Sequence, residues 1–83
     1  MTRDEVKSKI MPIIEEQLQP EDPAMVIEAA RFEEDLHADS LDRVEMMMEI
    51  DDAFNLDTSD ADADKIKTVG QVIDYVFNRV NQK

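Results

Sequence analysis

The spacing of apolar residues near the end of the chain restricts its fold most. Val69, Val72, Ile73, Val76, Phe77 and Val80 fall at i, i+3, i+4, i+7, i+8 and i+11. That pattern lines one face of a helix and does not suit a strand, whose side chains alternate with a period of two. Thr68 followed by Gln71 has the form of a capping box, so this helix is expected to begin there, with Gly70 in its first turn. The same periodicity recurs upstream. Val6, Ile10, Ile13, Ile14 and Leu18 form a stripe behind a second capping box at Thr2 and Glu5, which predicts a first helix from about Thr2 to Leu18. Pro12 lies inside it, so a bend near residues 8 to 12, or a helix effectively beginning there, is expected. Strand alternation is sustained nowhere, and the fold class is all-α.

Between these helices, residues 19 to 39 contain Pro20, Pro23 and scattered apolar positions such as Met25, Val26, Ile27, Phe32 and Leu36. A long loop pinned by a few side chains is predicted, with a short helical turn near 24 to 30. Loops of that length in small domains tend to be functional or to be linkers. A further helix from about Ser40 to Asn55 follows. Met46, Met47, Ile50 and Phe54 cluster on one side of it, while Leu41, Val44 and Met48 form an adjoining flank. The first group reads as core and the second as a partly exposed rim. Methionines more often fill cores than bind partners, yet an apolar rim beside an acidic face suits a protein that meets several of them. Residues 57 to 67 then form a polar loop and at most a short helix near 60 to 66.

At 83 residues the chain is expected to form one domain, 1–83, with a small core and little room for an enclosed active site. It has no cysteine, hence no disulfide, thiolate nucleophile or cysteine metal site. Met1 to Lys9 is too charged for a secretory h-region, and no apolar run approaches the roughly 18 residues of a membrane span, so a cytoplasmic location is expected. The net charge of −12 is uneven. Asp42, Glu45, Glu49, Asp51, Asp52, Asp57, Asp60, Asp62 and Asp64 crowd residues 40 to 64 against Arg43 alone. Such a field repels nucleic acid and anionic lipid and steers basic protein surfaces toward it.

Three chemistries are conceivable for this segment. Catalysis by Ser40 with His37, the one histidine, lacks a third group to orient the base and any oxyanion donor beyond the helix start. A calcium loop at Asp60, Asp62 and Asp64 fails because its sixth position is Lys65 where glycine is needed, and its twelfth is Gln71 where a bidentate glutamate is needed. Loose divalent binding by the clustered carboxylates is expected instead. The third is covalent attachment at Ser40. A serine at a helix start is ordinarily the N-cap, but Asp39 can take that role. Ser40 is then the first helical residue with its hydroxyl facing solvent, and a phosphodiester on it would meet the positive helix end.

The segment "FEEDLHADSLDRVEM" resembles the attachment region of the acyl carrier proteins, which usually reads F-x-E-D-L-G-A-D-S-L-D-x-V-E. The likeness continues through Phe54 and "ADKIKTVGQVIDYV" to the last helix. It implies a four-helix bundle of three main helices and a short third one, with a long loop after the first. It also implies 4′-phosphopantetheine on Ser40, transferred from coenzyme A by a phosphopantetheinyl transferase, with acyl chains carried as thioesters on its thiol. Such a protein is a carrier and no enzyme, and a monomer is expected. By the same resemblance, Asp39, Asp42, Glu45, Asp51 and Asp52 match acidic recognition positions for basic-surfaced acyl synthases and acyltransferases, and Leu41, Val44, Met48 and Ile66 match the apolar rim they touch. Phe32, Met46, Met47, Ile50, Phe54 and Val69 match core or acyl-pocket positions. Three residues or stretches depart from the pattern: His37 stands where glycine is usual, Arg43 adds a positive charge near Ser40, and "LDTSD" at 56 to 60 lacks the usual Ile-Pro, leaving Leu56 to replace a pocket wall. Fatty acid or lipid biosynthesis is the expected setting, with polyketide, lipid-A or D-alanine transfer as alternatives within the carrier class. An acidic regulatory or calcium-responsive helical module without a prosthetic group is the alternative outside it.

Overall fold

The computed structural model describes residues 1–82. Four α-helices follow one another: α1 (Arg3–Leu18), α2 (Ser40–Phe54), α3 (Asp60–Lys65) and α4 (Val69–Val80). The long loop after α1 contains one turn of 3₁₀-helix at Pro23–Met25, started by Asp22, whose carboxylate accepts from the Ala24 amide. Each predicted capping box is present. In α1, Thr2 Oγ1 accepts from the Glu5 amide and Glu5 accepts from the Thr2 amide. In α4, Thr68 and Gln71 do the same. Pro12 neither delays nor ends α1, which runs helical from Arg3 through it. Pro12 lies on the exposed side, where its ring and the unpaired carbonyl that it creates face water. The long helices α1 and α2 both end on a left-handed residue, Gln19 (φ 45°) and Asn55 (φ 55°), and Pro20 stops α1 at once.

One core holds the helices together. Val6, Ile10 and Ile14 of α1 meet Met46, Met47 and Ile50 of α2 and Val69, Val72, Ile73 and Val76 of α4, with Phe32 fully buried among them. α1 packs on both α2 and α4, which is why Val6, Ile10 and Ile14 are fully buried and Ile13 and Leu18 partly so. α3 has no buried residue of its own. Among the described residues no helix is long and apolar enough to cross a membrane.

The loop is tied to the start of α4 by backbone hydrogen bonds. The carbonyls of Glu28 and Ala30 accept from the amides of Gly70 (2.8 Å) and Val69 (3.1 Å), and the Phe32 amide donates to Lys67 O (3.0 Å). These carbonyls take up two amides at the start of α4 that have no partner within the helix. The approach is close: a Cβ on Gly70 would lie 3.1 Å from Glu28 O, so any larger residue would push the loop back by a few tenths of an ångström. The Glu28 side chain faces α1, where Arg3 and Lys7 both bind it, and Arg3 also reaches Asp74 of α4. These guanidinium and ammonium partners hold the Glu28 carboxyl down at about 2.

Because the folded value of Glu28 lies below its ordinary 4.5, its ionised form favours folding above that value. That contribution disappears as pH falls toward about 2. Urea unfolding of the wild type and Glu28→Gln should therefore show the wild type ahead at neutral pH, with the gap closing through the acid range. A constant gap would mean that the ion pairs do not stabilise the loop.

A second expectation comes from His37, which sits at φ 58° between buried Leu36 and Ala38. A side chain in that conformation costs about 1 kcal/mol or more, although histidine is among the residues found there. Glycine removes the strain and adds unfolded-state entropy, so His37→Gly should stabilise by about 0.5 kcal/mol and raise the melting midpoint by a few degrees. A lowered midpoint would show that the turn is not strained.

Candidate functional site

Asp39 rather than Ser40 caps α2. Its carboxylate accepts from the Asp42 amide (2.8 Å), and the Asp42 carboxylate accepts in return from the Asp39 amide (3.2 Å). Ser40 is therefore the first residue of α2, and it is exposed. Its hydroxyl enters no hydrogen bond among the described residues, and neither its amide nor that of Leu41 has a protein acceptor. The chain reaches this point through Leu36 and Ala38, both buried, and through the Ala38 amide, which donates to Phe32 O (2.8 Å). His37 lies between these anchors and is not bonded to Ser40.

Beside Ser40, α2 and α3 enclose a cleft of about 180 Å³. Val44, Met46, Met47 and Met48 line it from α2, and Thr58, Ala63 and Ile66 from the other side, with Arg43, Asp60 and Asp64 adding polar wall. Its floor is apolar and its edge is charged. Among the residues matched to a pocket, Met46 and Met47 face this cleft, whereas Phe32, Ile50 and Val69 are spent in the core. Phe54 is half-buried against that core, with the Lys9 ammonium 5.7 Å from its ring. Leu56 also packs on the core and is not a cleft wall.

The rim is redrawn as well. Leu41, Val44 and Met48 are exposed at 63, 55 and 62 %, as their spacing requires. Ile66 is not part of it: at 5 % exposure it lies inward and forms part of the cleft wall, because the extended backbone after α3 turns it toward the core. The acidic positions also differ from one another. Asp39 and Asp42 hold helix amides, and Glu45 accepts from Gln17 Nε2 of α1 (2.7 Å). Asp51 does not present a free carboxylate. It accepts from the Thr58 hydroxyl (2.7 Å) and amide (3.1 Å), tying α2 to the segment before α3. Asp52 remains exposed, with no ion pair among the described residues. No three acidic or histidine side chains converge on a point that could hold a metal ion among the described residues, so the expected loose divalent binding has no preformed site.

Sequence reasoning missed two contributors. Arg43 is only 16 % exposed; it pairs with Glu33 and donates to backbone carbonyls at the end of α3. It stood out as the one cation among residues 40 to 64, yet its reach across the cleft had no local signal. The bond between Asp51 and Thr58 crosses a turn and had none either.

A family profile described as "Phosphopantetheine attachment site" matches residues 8–76. The acyl carrier protein of Thermosynechococcus vestitus is 41% identical over 80 residues, covering 96% of this chain and 98% of that one. That of Rickettsia typhi is 44% identical over 78 residues, covering 94% and 90%. The solved structure of the acyl carrier protein from Enterococcus faecalis superposes with a TM-score of 0.77 at 37% identity, covering 94% of this chain and 98% of the other. Likeness of this extent, in sequence along nearly the whole length and in fold, means that the chain belongs to the acyl carrier protein family, whose members bear phosphopantetheine and carry acyl groups without themselves being enzymes.

Proposed function

We propose that Ser40 is the attachment residue, and that the chain carries acyl groups between enzymes of fatty acid or lipid biosynthesis in the cytoplasm. The observation that carries this reading is the unused, exposed hydroxyl of Ser40 at the mouth of the α2–α3 cleft, left available because Asp39 does the capping. In the transfer, Ser40 Oγ forms a bond to phosphorus, the bond from that phosphorus to the nucleotide half of coenzyme A breaks, and the hydroxyl proton passes to the transferase or to water. The resulting phosphodiester suits the site, because the amides of Ser40 and Leu41 and the positive end of α2 favour an anion there. When bound, the group supplies the thiol that this cysteine-free chain lacks, and that thiol holds the acyl chain as a thioester.

Sheltering the chain follows from its surface. Apolar area left in water costs about 25 cal/mol per Å², and the methionine side chains of the cleft deform to fit irregular shapes. Partner enzymes with basic surfaces dock on α2, where Glu45 and Asp52 lie seven residues apart on one side, beside exposed Leu41, Val44 and Met48. Charge brings the partner in and the apolar rim makes the short-range contact.

Incubating the chain with coenzyme A and a broad-specificity phosphopantetheinyl transferase should add the mass of one arm to the wild type and none to Ser40→Ala, with helicity nearly unchanged. Modification that persists in the variant, or maps to Ser8 or Ser59, refutes the assignment.

Docking has its own test. Exposed ion pairs are worth only about 0 to 1 kcal/mol each, so reversing Glu45 and Asp52 together to lysine should act mainly on association. We expect an on-rate roughly tenfold slower at low salt for a cognate acyl-transferring enzyme, converging with the wild type at high salt. Equal on-rates at low salt would place docking on another face.

A further inference from the structure

α3 owes its position to polar ties more than to apolar packing. None of the residues Asp60–Lys65 is buried, and only Ile66, just past its end, reaches the core. With so little apolar area, burial does not fix the distance of α3 from α2, and an element of this kind belongs to the less stable part of a fold. α2 ties it at both ends. Ahead of α3, Asp51 holds Thr58 by hydroxyl and by backbone amide. At the Ser40 end, one nitrogen of Arg43 donates to Ile66 O (2.9 Å) and, more distantly, to Ala63 O (3.4 Å), while the other binds Glu33 (2.9 Å). A weaker contact from α4, Tyr75 Oη to Asp62 (3.4 Å), adds to these.

The two ends differ in kind. Asp51 is a short side chain that takes both the amide and the hydroxyl of Thr58, which leaves that end little play. Arg43 holds the other end by the tip of one long side chain, which releases by rotation about its own bonds. Arg43 also lines the cleft, one helical turn from Ser40. Its grip on the carbonyls of Ala63 and Ile66 therefore crosses the cleft beside Ser40, where a chain tethered at that serine would enter.

We propose that Arg43 is a latch: its hold on the end of α3 sets how far α3 can swing from α2, and so the length of acyl chain that the cleft shelters. This rests on the reading that Ser40 carries the arm and that the cleft takes the chain. With the latch closed, a cleft of about 180 Å³ shelters acyl chains only up to a limiting length. Longer chains need α3 to move. Arg43 is a positioning residue here, acting on cargo length through α3.

The test loads wild type, Arg43→Ala and Glu33→Gln with the arm and then with straight saturated acyl chains of increasing length, and follows thioester cleavage by hydroxylamine. A methylene withdrawn from water is worth about 0.8 kcal/mol, so while the cleft is filling the rate should fall about fourfold per added methylene, then level off. Glu33→Gln leaves the donation to the α3 carbonyls in place, so it should level off at the wild-type length. Arg43→Ala should go on falling for about two methylenes more, roughly a tenfold or greater further loss of rate. Hydrogen exchange on the unloaded proteins supplies a readout that needs no arm. Amides of residues 61 to 66 should exchange faster in Arg43→Ala, with α1 and α4 unchanged. The same limiting length in Arg43→Ala as in the wild type, an equal shift in Glu33→Gln, unchanged α3 exchange, or a uniform rise across all helices each overturns the latch. Failure of the wild type to take the arm at Ser40 overturns the reading of that serine instead, and the exchange result still decides whether Arg43 holds α3.

Discussion

Everything that presents Ser40 depends on the seam between the long loop and the start of α4. Glu28 is the centre of it, with its carbonyl on the Gly70 amide and its carboxylate between Arg3 and Lys7. One residue thus joins the loop to α1 through charge and to α4 through the backbone. The loop gains fixed partners for its carbonyls, and α4 gains acceptors for amides that its own helix cannot satisfy. Phe32 then enters the core, its carbonyl receives the Ala38 amide, and the chain arrives at Asp39 in an extended conformation. Without this seam, more than twenty residues between α1 and α2 would have no ordered path.

From there the chemistry of α2 is a matter of which side chain takes which amide. Asp39 and Asp42 complete a reciprocal cap, and the adjacent serine hydroxyl is left without a partner among the described residues. A carboxylate caps as well as a hydroxyl does, so this division costs the helix little and leaves a nucleophile-bearing side chain in water at the positive helix end. His37 carries the strain of the preceding turn, where a positive φ would suit glycine better.

The acidic segment is less uniform than its composition suggests. Asp51 and Arg43 use their charges inward, holding α3 against α2 across the cleft. Glu45 leans on Gln17 of α1, and Asp52 faces solvent. Surface charge and internal tie are therefore interleaved along one helix. The exposed acidic face of α2 and the width of the cleft are set by neighbouring residues, and a charge change at one position need not act on the other.

The sequence by itself determined the helices and their starts. Local spacing and local hydrogen bonds decide those features: the stripes of α1 and α4, the caps at Thr2, Asp39 and Thr68, and the exposure of Leu41, Val44 and Met48 all follow from residues within one or two turns of each other. That Asp39 rather than Ser40 caps α2, leaving the serine exposed, was readable for the same reason. Tertiary structure alone decided what depends on contacts between segments distant in sequence. It let Pro12 pass unbroken within α1, turned Ile66 inward, assigned Phe32, Ile50 and Val69 to the core rather than the cleft, and made Arg43 and Asp51 into ties. Periodicity says which face of a helix is apolar, but it does not say which neighbour covers that face, nor where a long polar side chain will find a carbonyl on another element.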